Sequence, residues 1–82
     1  MRAYVLVECA VGKASDVAKG VMKVKKVHDT EVVSVDAVTG PFDVIVQLES
    51  DDLDKLGRAI TDAIQVVDGV QRTTTCLVVR LG

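Results

Sequence analysis

Val38-Thr39-Gly40-Pro41-Phe42-Asp43-Val44 is the stretch that decides the fold, and it lies at the midpoint of the 82-residue chain. It contains the only proline and the only phenylalanine, and a valine-rich run lies on each side of it. Gly-Pro between two such runs is a turn signal, so the stretch predicts a connection between two strands. Asp43 is a carboxylate at the start of an apolar strand. On local grounds it is either a solvated or capping acid of the turn or part of a small-ligand loop.

Outside this stretch, apolar residues follow two different periods. They alternate with a period of two in four segments, as in strands, and recur every 3.6 residues in two others, as in helices. The predicted strands are Arg2 to Cys9, Val27 to Val38, Val44 to Leu48 and Val70 to Leu81. The predicted helices run from Lys13 to about Lys25 and from Ser50-Asp51-Asp52 to Asp68-Gly69. The predicted order is therefore β-α-β-β-α-β.

The second predicted helix has the clearer helical pattern. Its apolar stripe consists of Leu53, Leu56, Gly57, Ile60, Ala63, Ile64 and Val67. Small residues at Gly57 and Ala63 predict close packing of this helix on a sheet. The acids Asp51, Asp52 and Asp54 are interpreted as residues of the helix start, which favours negative charge. Gly69 is interpreted as the left-handed residue that follows the helix.

Right-handed crossovers convert this order into the ferredoxin-like α+β fold, a four-stranded antiparallel sheet with two helices on one face. In the second strand, Val33, Val35 and Ala37 are predicted to alternate with Val32, Ser34, Asp36 and Val38. The side chains predicted to meet the helices from the other strands are Ala3, Val5, Val7, Val44, Val46, Leu48, Leu77, Val79 and Leu81.

The opposite sheet face is predicted to be open, because two helices cover only one side of the sheet. It carries Tyr4, Leu6, Ile45 and Val78 among the polar residues Glu8, Gln47, Glu49, Arg72, Thr74 and Arg80. Such a face is too apolar to be left in water and too polar to be the core of a monomer. A second copy is therefore predicted to pack on it about a two-fold axis, as a homodimer.

Length, composition and charge exclude several classes of protein. Eighty-two residues form one domain, and with 49% apolar but 2% aromatic residues its core consists of aliphatic side chains. A net charge of −2 does not fit a protein held to phosphates by charge, and a single tyrosine gives no surface for stacking RNA bases. Neither a membrane-spanning run nor a signal-peptide pattern is present, so the expected location is cytoplasmic.

Catalytic chemistry is not indicated by any motif. No nucleophile stands beside a base, and no glycine-rich phosphate loop occurs. Cys9 and Cys76 are predicted to be buried, unpaired strand thiols, and neither has a Cys or His at metal-ligand spacing. His28 is predicted to be solvent-exposed in a turn. We therefore expect no enzymatic activity, no catalytic residue, no metal and no cofactor.

The remaining chemistry is recognition of a small ligand. Asp43 can accept hydrogen bonds from an ammonium group, and the backbone near Gly40 can approach a carboxylate closely because glycine has no side chain. Thr73 or Thr75 could add a hydroxyl, although threonine is also an ordinary strand residue. A zwitterion such as a free amino acid fits these groups.

Together these features resemble the effector-binding domain of the Lrp/AsnC family of transcription regulators, also called the RAM domain. The stretch from Val38 to Val44 resembles that family's V-x-G-x-[YF]-D-hydrophobic loop. Asp68-Gly69-Val70 resembles its G-V step after the second helix, and Arg72-Thr73-Thr74-Thr75 resembles its R-T-x-T strand start. The resemblance covers essentially the whole chain.

The resemblance implies a sheet-mediated dimer that assembles further, for example into an octamer, with an amino acid bound between dimers. Carried over by motif, the ligand-binding residues would be Thr39, Gly40, Pro41, Phe42 and Asp43, with Thr73 and Thr75 from the last strand. Asp43 would bind the ammonium group. Phe42 stands where the family often has tyrosine, so a contact from a phenolic hydroxyl is missing.

The main departure from the family is the helix-turn-helix, for which residues 1–82 leave no room. The chain is therefore expected to be one stand-alone domain that does not bind nucleic acid directly. It would sense amino acids, or modulate a full-length relative by mixed assembly. Alternatives are a ligand-free structural partner of such a relative, a small enzyme of the dimeric α/β-barrel type, or an ACT-type ligand domain.

Overall fold

A five-stranded antiparallel sheet in the order β2-β3-β4-β1-β5 organises residues 1–81, the part of the chain that the computed structural model describes. The strands are β1 (Arg2–Cys9), β2 (Lys26–Val27), β3 (Thr30–Ala37), β4 (Val44–Glu49) and β5 (Val70–Leu77). The helices are α1 (Ala14–Met22) and α2 (Leu53–Ala59), and a π-helix (Ile60–Gln65) continues α2. The predicted ferredoxin-like fold is confirmed, with one more strand than expected.

The extra strand arises because the predicted segment Val27 to Val38 folds back on itself near its start. His28 and Asp29 have φ values of 49° and 54° and form a two-residue loop between Val27 and Thr30, which pair with each other. Two consecutive left-handed residues are the geometry of a type I′ hairpin turn. A turn at His28 was predicted, but the hairpin was not, because the turn contains neither glycine nor asparagine.

Strand β3 contains a β-bulge that changes which of its valines face the helices. Val32 pairs with Leu48 and Ser34 pairs with Gln47, so Val33 is the extra residue. An extra residue shifts the alternation of side chains by one position. Val32 packs against the core, whereas Val33 is 43% exposed. The predicted uninterrupted alternation of Val33 with Val32 and Ser34 is therefore wrong.

The core is one aliphatic layer between the sheet and the helices. Its strand residues are Ala3, Val5, Val7, Val44, Val46 and Leu48, and its main helix residues are Val17, Ala18, Val21, Leu56, Ile60 and Ile64. Full burial of one valine or leucine side chain is worth about 1.5–3 kcal/mol relative to exposure. The layer contains no aromatic ring, as the composition predicts.

The face that α2 turns towards the sheet differs from the predicted stripe. Leu53 is 56% exposed, and a Cβ at Gly57 would have no neighbour within 4 Å. The inward face is instead centred on Leu56. Gly20 of α1 makes the close approach, since a Cβ there would lie 3.0 Å from Val67 Cγ1. The predicted packing role of Gly57 is wrong.

Strand β5 lies at the edge of the sheet and ends earlier than predicted. It stops at Leu77, which is 43% exposed. The apolar residues beyond it are more exposed, at 69% for Val79 and 93% for Leu81. Of the helical segments, mainly the π-helix packs against β5. The prediction that these three side chains meet the helices is therefore wrong.

Two polar contacts attach the β2–β3 hairpin to the second helix. His28 Nε2 lies 2.6 Å from Asp62 Oδ2, and Lys55 Nζ lies 3.3 Å from Asp29 Oδ2. The hydrogen bond to Asp29, followed by the charge of Asp51, raises the pKa of Lys55. The predicted position of His28 in an exposed turn is confirmed.

Gly69→Ala is expected to destabilise the protein by about 1–3 kcal/mol, because overpacking and strain at positive φ act together. Gly69 has a φ of 100°, and an added Cβ would lie 2.9 Å from Lys13 Cβ. Urea unfolding at a fixed protein concentration measures the change.

Gly57→Ala is the matched control. The added methyl group meets no atom and alanine favours a helix, so the variant should gain about 0.5–1 kcal/mol. Equal stability of the two alanine variants would contradict the described approach of Gly69 to α1.

Candidate functional site

The candidate site lies at the end of the sheet that carries the loop between β3 and β4. Ala37, Val44, Val7 and Thr73 form one row across four strands, through the pairs Ala37–Val44, Val44–Val7 and Val7–Thr73. The loop extends beyond this row from Val38 to Asp43. The fold thus places both predicted groups of site residues, the loop and the start of the last strand, at one end of the sheet.

Asp43 is fixed to strand β1 by its backbone and by its side chain. Its N–H donates to Val7 O at 2.9 Å, and its Oδ2 accepts a hydrogen bond from the Cys9 N–H at 2.8 Å. The carboxylate thus takes the place of a strand carbonyl and satisfies a backbone donor that β4 does not reach. Among residues 1–81, Asp43 Oδ1 has no hydrogen-bond partner. The reading of Asp43 as a capping acid is therefore confirmed, and its part in a small-ligand loop stays a prediction.

The middle of the loop is more exposed than Asp43. Val38 N–H donates to Asp43 O at 2.9 Å and closes the loop. Thr39, Gly40 and Pro41 are exposed, and Phe42 is half-buried. Gly40 has a φ of 147°, in the positive region that favours glycine, so this turn needs glycine at that position.

The two predicted threonines of β5 lie on the far side of β1 from this loop. Thr73 pairs with Val7 and Thr75 with Val5, so β1 separates both from β4. Two strand spacings amount to about 10 Å, which is more than a single small zwitterion bridges with its ammonium group on Asp43. The Thr73 hydroxyl accepts a hydrogen bond from Gln65 Nε2 at 3.0 Å, and Thr75 is exposed.

A surface cleft of about 500 Å³ opens beside Asp43. Its other lining residues come from the end of β1 and the start of α1: Cys9, Ala10, Val11, Gly12, Ala14 and Ser15. Four other depressions on the described surface contain none of the predicted site residues. The sequence analysis assigned no role to the residues between the first predicted strand and the first predicted helix and so missed this loop. The sequence offered no chemical signal for it, because the residues from Ala10 to Ser15 are uncharged and mostly small, apart from Lys13.

The two cysteines differ in exposure. Cys9 is half-buried against the core, and burial, followed by the negative charge of Asp43, raises the pKa of its thiol. Cys76 is exposed on the open sheet face, where it pairs with Tyr4. The prediction of a buried thiol is therefore wrong for Cys76, because β5 is an edge strand and the second sheet face has no cover.

Residues 1–81 contain neither a metal-binding cluster nor a membrane-spanning helix. No three His, Cys, Asp or Glu side chains are grouped in a way that could hold a metal ion. No helix there combines the length and the apolar character needed to cross a membrane.

Comparison with known proteins places these features in a family. A family profile described as the Lrp/AsnC ligand binding domain matches residues 2–81. TTHA0845 from Thermus thermophilus has a TM-score of 0.83 and 26% identity, with 99% of this chain and 95% of that chain covered. The hypothetical protein PHS023 from Pyrococcus horikoshii has a TM-score of 0.80 and 28% identity, with 98% and 90% covered.

A third structure, of the transcriptional regulator NMB0573 from Neisseria meningitidis in complex with L-Met, shares the fold with a TM-score of 0.78 and 23% identity. The alignment covers 96% of this chain and 49% of that one, so this chain spans about half the length of the regulator. No curated protein sequence matches this chain.

Asp43→Ala is expected to lower the free energy of unfolding by about 1 kcal/mol, because the Cys9 N–H loses its acceptor. Asp43→Asn keeps an acceptor oxygen without the charge and should lose roughly half as much. Urea unfolding at one protein concentration compares them with Asp68→Ala, which removes an exposed carboxylate outside the sheet. An Asp43→Ala variant as stable as Asp68→Ala would show that the carboxylate does not support the fold.

Proposed function

Since the chain belongs to the Lrp/AsnC ligand-binding domain family, we propose that it is an oligomeric sensor of a free amino acid that modulates transcription. The family consists of regulatory ligand-binding domains, so the proposed role is recognition and not catalysis. Regulation would act through assembly with a DNA-binding relative. The proposed location is the cytoplasm, where such regulators meet both amino acids and DNA.

One observation carries the amino-acid part of the proposal: the half-buried Asp43 carboxylate has one oxygen fixed and one oxygen free. The hydrogen bond from Cys9 N–H sets the direction of the carboxylate before any ligand arrives. A preoriented carboxylate binds an ammonium group at a lower entropic cost than a mobile one. The free oxygen, Oδ1, is the proposed acceptor for the ligand's ammonium group.

The remaining ligand contacts are proposed for the exposed loop and for β5. Backbone groups of Thr39, Gly40, Pro41 and Phe42 would meet the ligand carboxylate. Thr73 and Thr75 lie across β1 from this loop, so they would contribute from a neighbouring copy, with the ligand at a junction between copies. The fold shared with NMB0573, a regulator solved with L-Met, supports an amino acid as the ligand.

A homodimer through the open sheet face is the second part of the proposal. Leu6 and Ile45 pair directly at the centre of this face, and Tyr4 and Val78 expose 37% and 47% of their surface beside them. In a domain this small, apolar area covered by a second copy adds substantially to a marginal core. The dimers would assemble further, for example into an octamer, and bring ligand sites from different copies together.

A ligand-free structural partner that co-assembles with a DNA-binding relative is the second candidate function. The observation that supports this candidate is the hydrogen bond from Cys9 N–H to Asp43, because it gives the carboxylate a structural role that needs no ligand. In that case the loop from Val38 to Asp43 would serve the connection between β3 and β4 alone. The two functions differ in whether any amino acid binds.

Native mass spectrometry of the whole chain, with each of the twenty amino acids at millimolar concentration, tests both parts of the proposal. We expect a dimer or a multiple of it, and a mass increase of one amino acid per chain for a subset of the twenty. The Asp43→Asn variant should keep the oligomer and lose most of the bound amino acid, because a neutral amide oxygen binds an ammonium group more weakly than a carboxylate does.

Tyr4→Asp should convert the oligomer to monomer, because a carboxylate on the open face would be buried without a partner at the interface. Val66→Asp is the control, since Val66 is 69% exposed and follows the π-helix on the helical side. An oligomer that binds none of the twenty amino acids would favour the structural partner. A wild-type monomer would contradict the proposed assembly.

A further inference from the structure

The cleft beside Asp43 contains a carboxylate at one end and uncharged walls elsewhere. The walls are the half-buried Ala10 and Ala14, the exposed Val11, Gly12 and Ser15, and the half-buried Cys9. Asp43 is the only charged residue that lines the cleft, since the exposed Lys13, between Gly12 and Ala14, is not among its walls. The volume of about 500 Å³ falls within the range of small-molecule clefts, about 300–1,000 Å³.

We infer that this cleft holds the side chain of the bound amino acid, and that the segment Ala10 to Ser15 selects ligands with an uncharged aliphatic or thioether side chain. This segment, which includes the first two residues of α1, is called the β1–α1 loop below. The inference rests on the proposed function, since it takes the ammonium group to lie on Asp43. It adds the residues that distinguish one amino acid from another.

The geometry of Asp43 connects the ammonium group to the cleft. The carboxylate lines the cleft, and Oδ2 is occupied by the Cys9 N–H, so an ammonium group pairs with Oδ1. An amino acid held there extends its side chain within a few ångströms of its ammonium group. The adjacent space is bounded by the β1–α1 loop.

The chemistry of the walls determines the ligand class. An aliphatic or thioether side chain gains free energy by covering the methyl groups of Ala10, Val11 and Ala14. A carboxylate side chain would lie near Asp43 and be repelled. A lysine or arginine side chain would lose hydration with no acidic partner in the loop, and that loss is unfavourable for a charged group.

Two backbone hydrogen bonds fix the position of the β1–α1 loop. The Ala10 N–H donates to Gly69 O at 2.8 Å, and the Lys13 N–H donates to Ala10 O at 3.0 Å. Val11 lies between these anchors and is fully exposed. A substitution of Val11 therefore changes the cleft wall without removing a core contact.

The test is isothermal titration of the wild-type chain and of Val11→Glu with L-leucine, L-methionine, L-lysine and L-aspartate. The wild-type chain should prefer leucine or methionine over lysine and aspartate. In Val11→Glu the ratio of lysine to leucine affinity should rise about fivefold, the effect of one exposed ion pair. The ratio isolates the side chain, because an added charge affects the ammonium group of both ligands alike.

Val66→Glu is the matched control, another exposed valine that lies outside the cleft, and it should leave the ratio unchanged. Ser15→Glu is a second variant, since Ser15 is exposed in the first turn of α1, where an acid suits the helix. It should shift the ratio in the same direction as Val11→Glu.

The possible failures are distinguishable. If the wild-type chain binds amino acids and Asp43→Asn does not, but both loop variants keep the wild-type ratio, the assignment of the β1–α1 loop is wrong and the proposed function stands. If the wild-type chain binds no amino acid, or if Asp43→Asn binds as tightly as the wild type, the proposed function and this inference are both wrong.

Discussion

The hydrogen bond from the Cys9 N–H to the Asp43 carboxylate joins the end of the inner strand β1 to the loop between β3 and β4. A backbone donor at a strand end must find an acceptor, and here a side chain provides it because the pairing of β1 with β4 ends at Val7 and Val44. The bond also orients the carboxylate, whose second oxygen has no partner within the described residues. Fold and proposed recognition thus share one group, and ligand binding at Asp43 would act directly on β1 and on the loop that leads into α1.

The second constraint is that two helices cover only one face of a sheet. The covered face contains the aliphatic core, and the open face exposes Tyr4 and Val78 around the half-buried pair Leu6 and Ile45. A chain of this size gains little stability beyond that single layer. The proposed dimer follows from this imbalance.

Apolar residues that alternate in strands and recur every 3.6 residues in helices predicted the ferredoxin-like fold and the inward residues of β1 and β4. They also predicted the order of the elements apart from β2. These patterns were informative because they depend on local geometry. The errors arose where tertiary context overrides the local pattern. The bulge at Val33 and the His28-Asp29 turn contain no glycine or proline that would mark them. Gly57 is in the right helix but on its outer side, and Leu77 is in the right strand but at a sheet edge that the helices do not cover.

For the candidate site, the sequence identified Asp43 because a carboxylate at the start of an apolar strand is unusual. It identified the turn at Gly40 because Gly-Pro lies between two strand-like runs. It did not reveal the partner of Asp43, since a hydrogen bond across 34 residues depends on how β1 and β4 pair. The cleft residues Ala10 to Ser15 were missed for a different reason. Small uncharged residues carry no chemical signature until the fold places them beside a charge.

The most direct measurement of the central claim, that one carboxylate serves both the fold and the ligand, is the amide NMR resonance of Cys9 during titration with an amino acid. The account predicts that the Cys9 resonance shifts together with those of Asp43 and the β1–α1 loop and saturates at the stoichiometry of binding. A bound amino acid that shifts other resonances and leaves that of Cys9 unchanged would contradict the account.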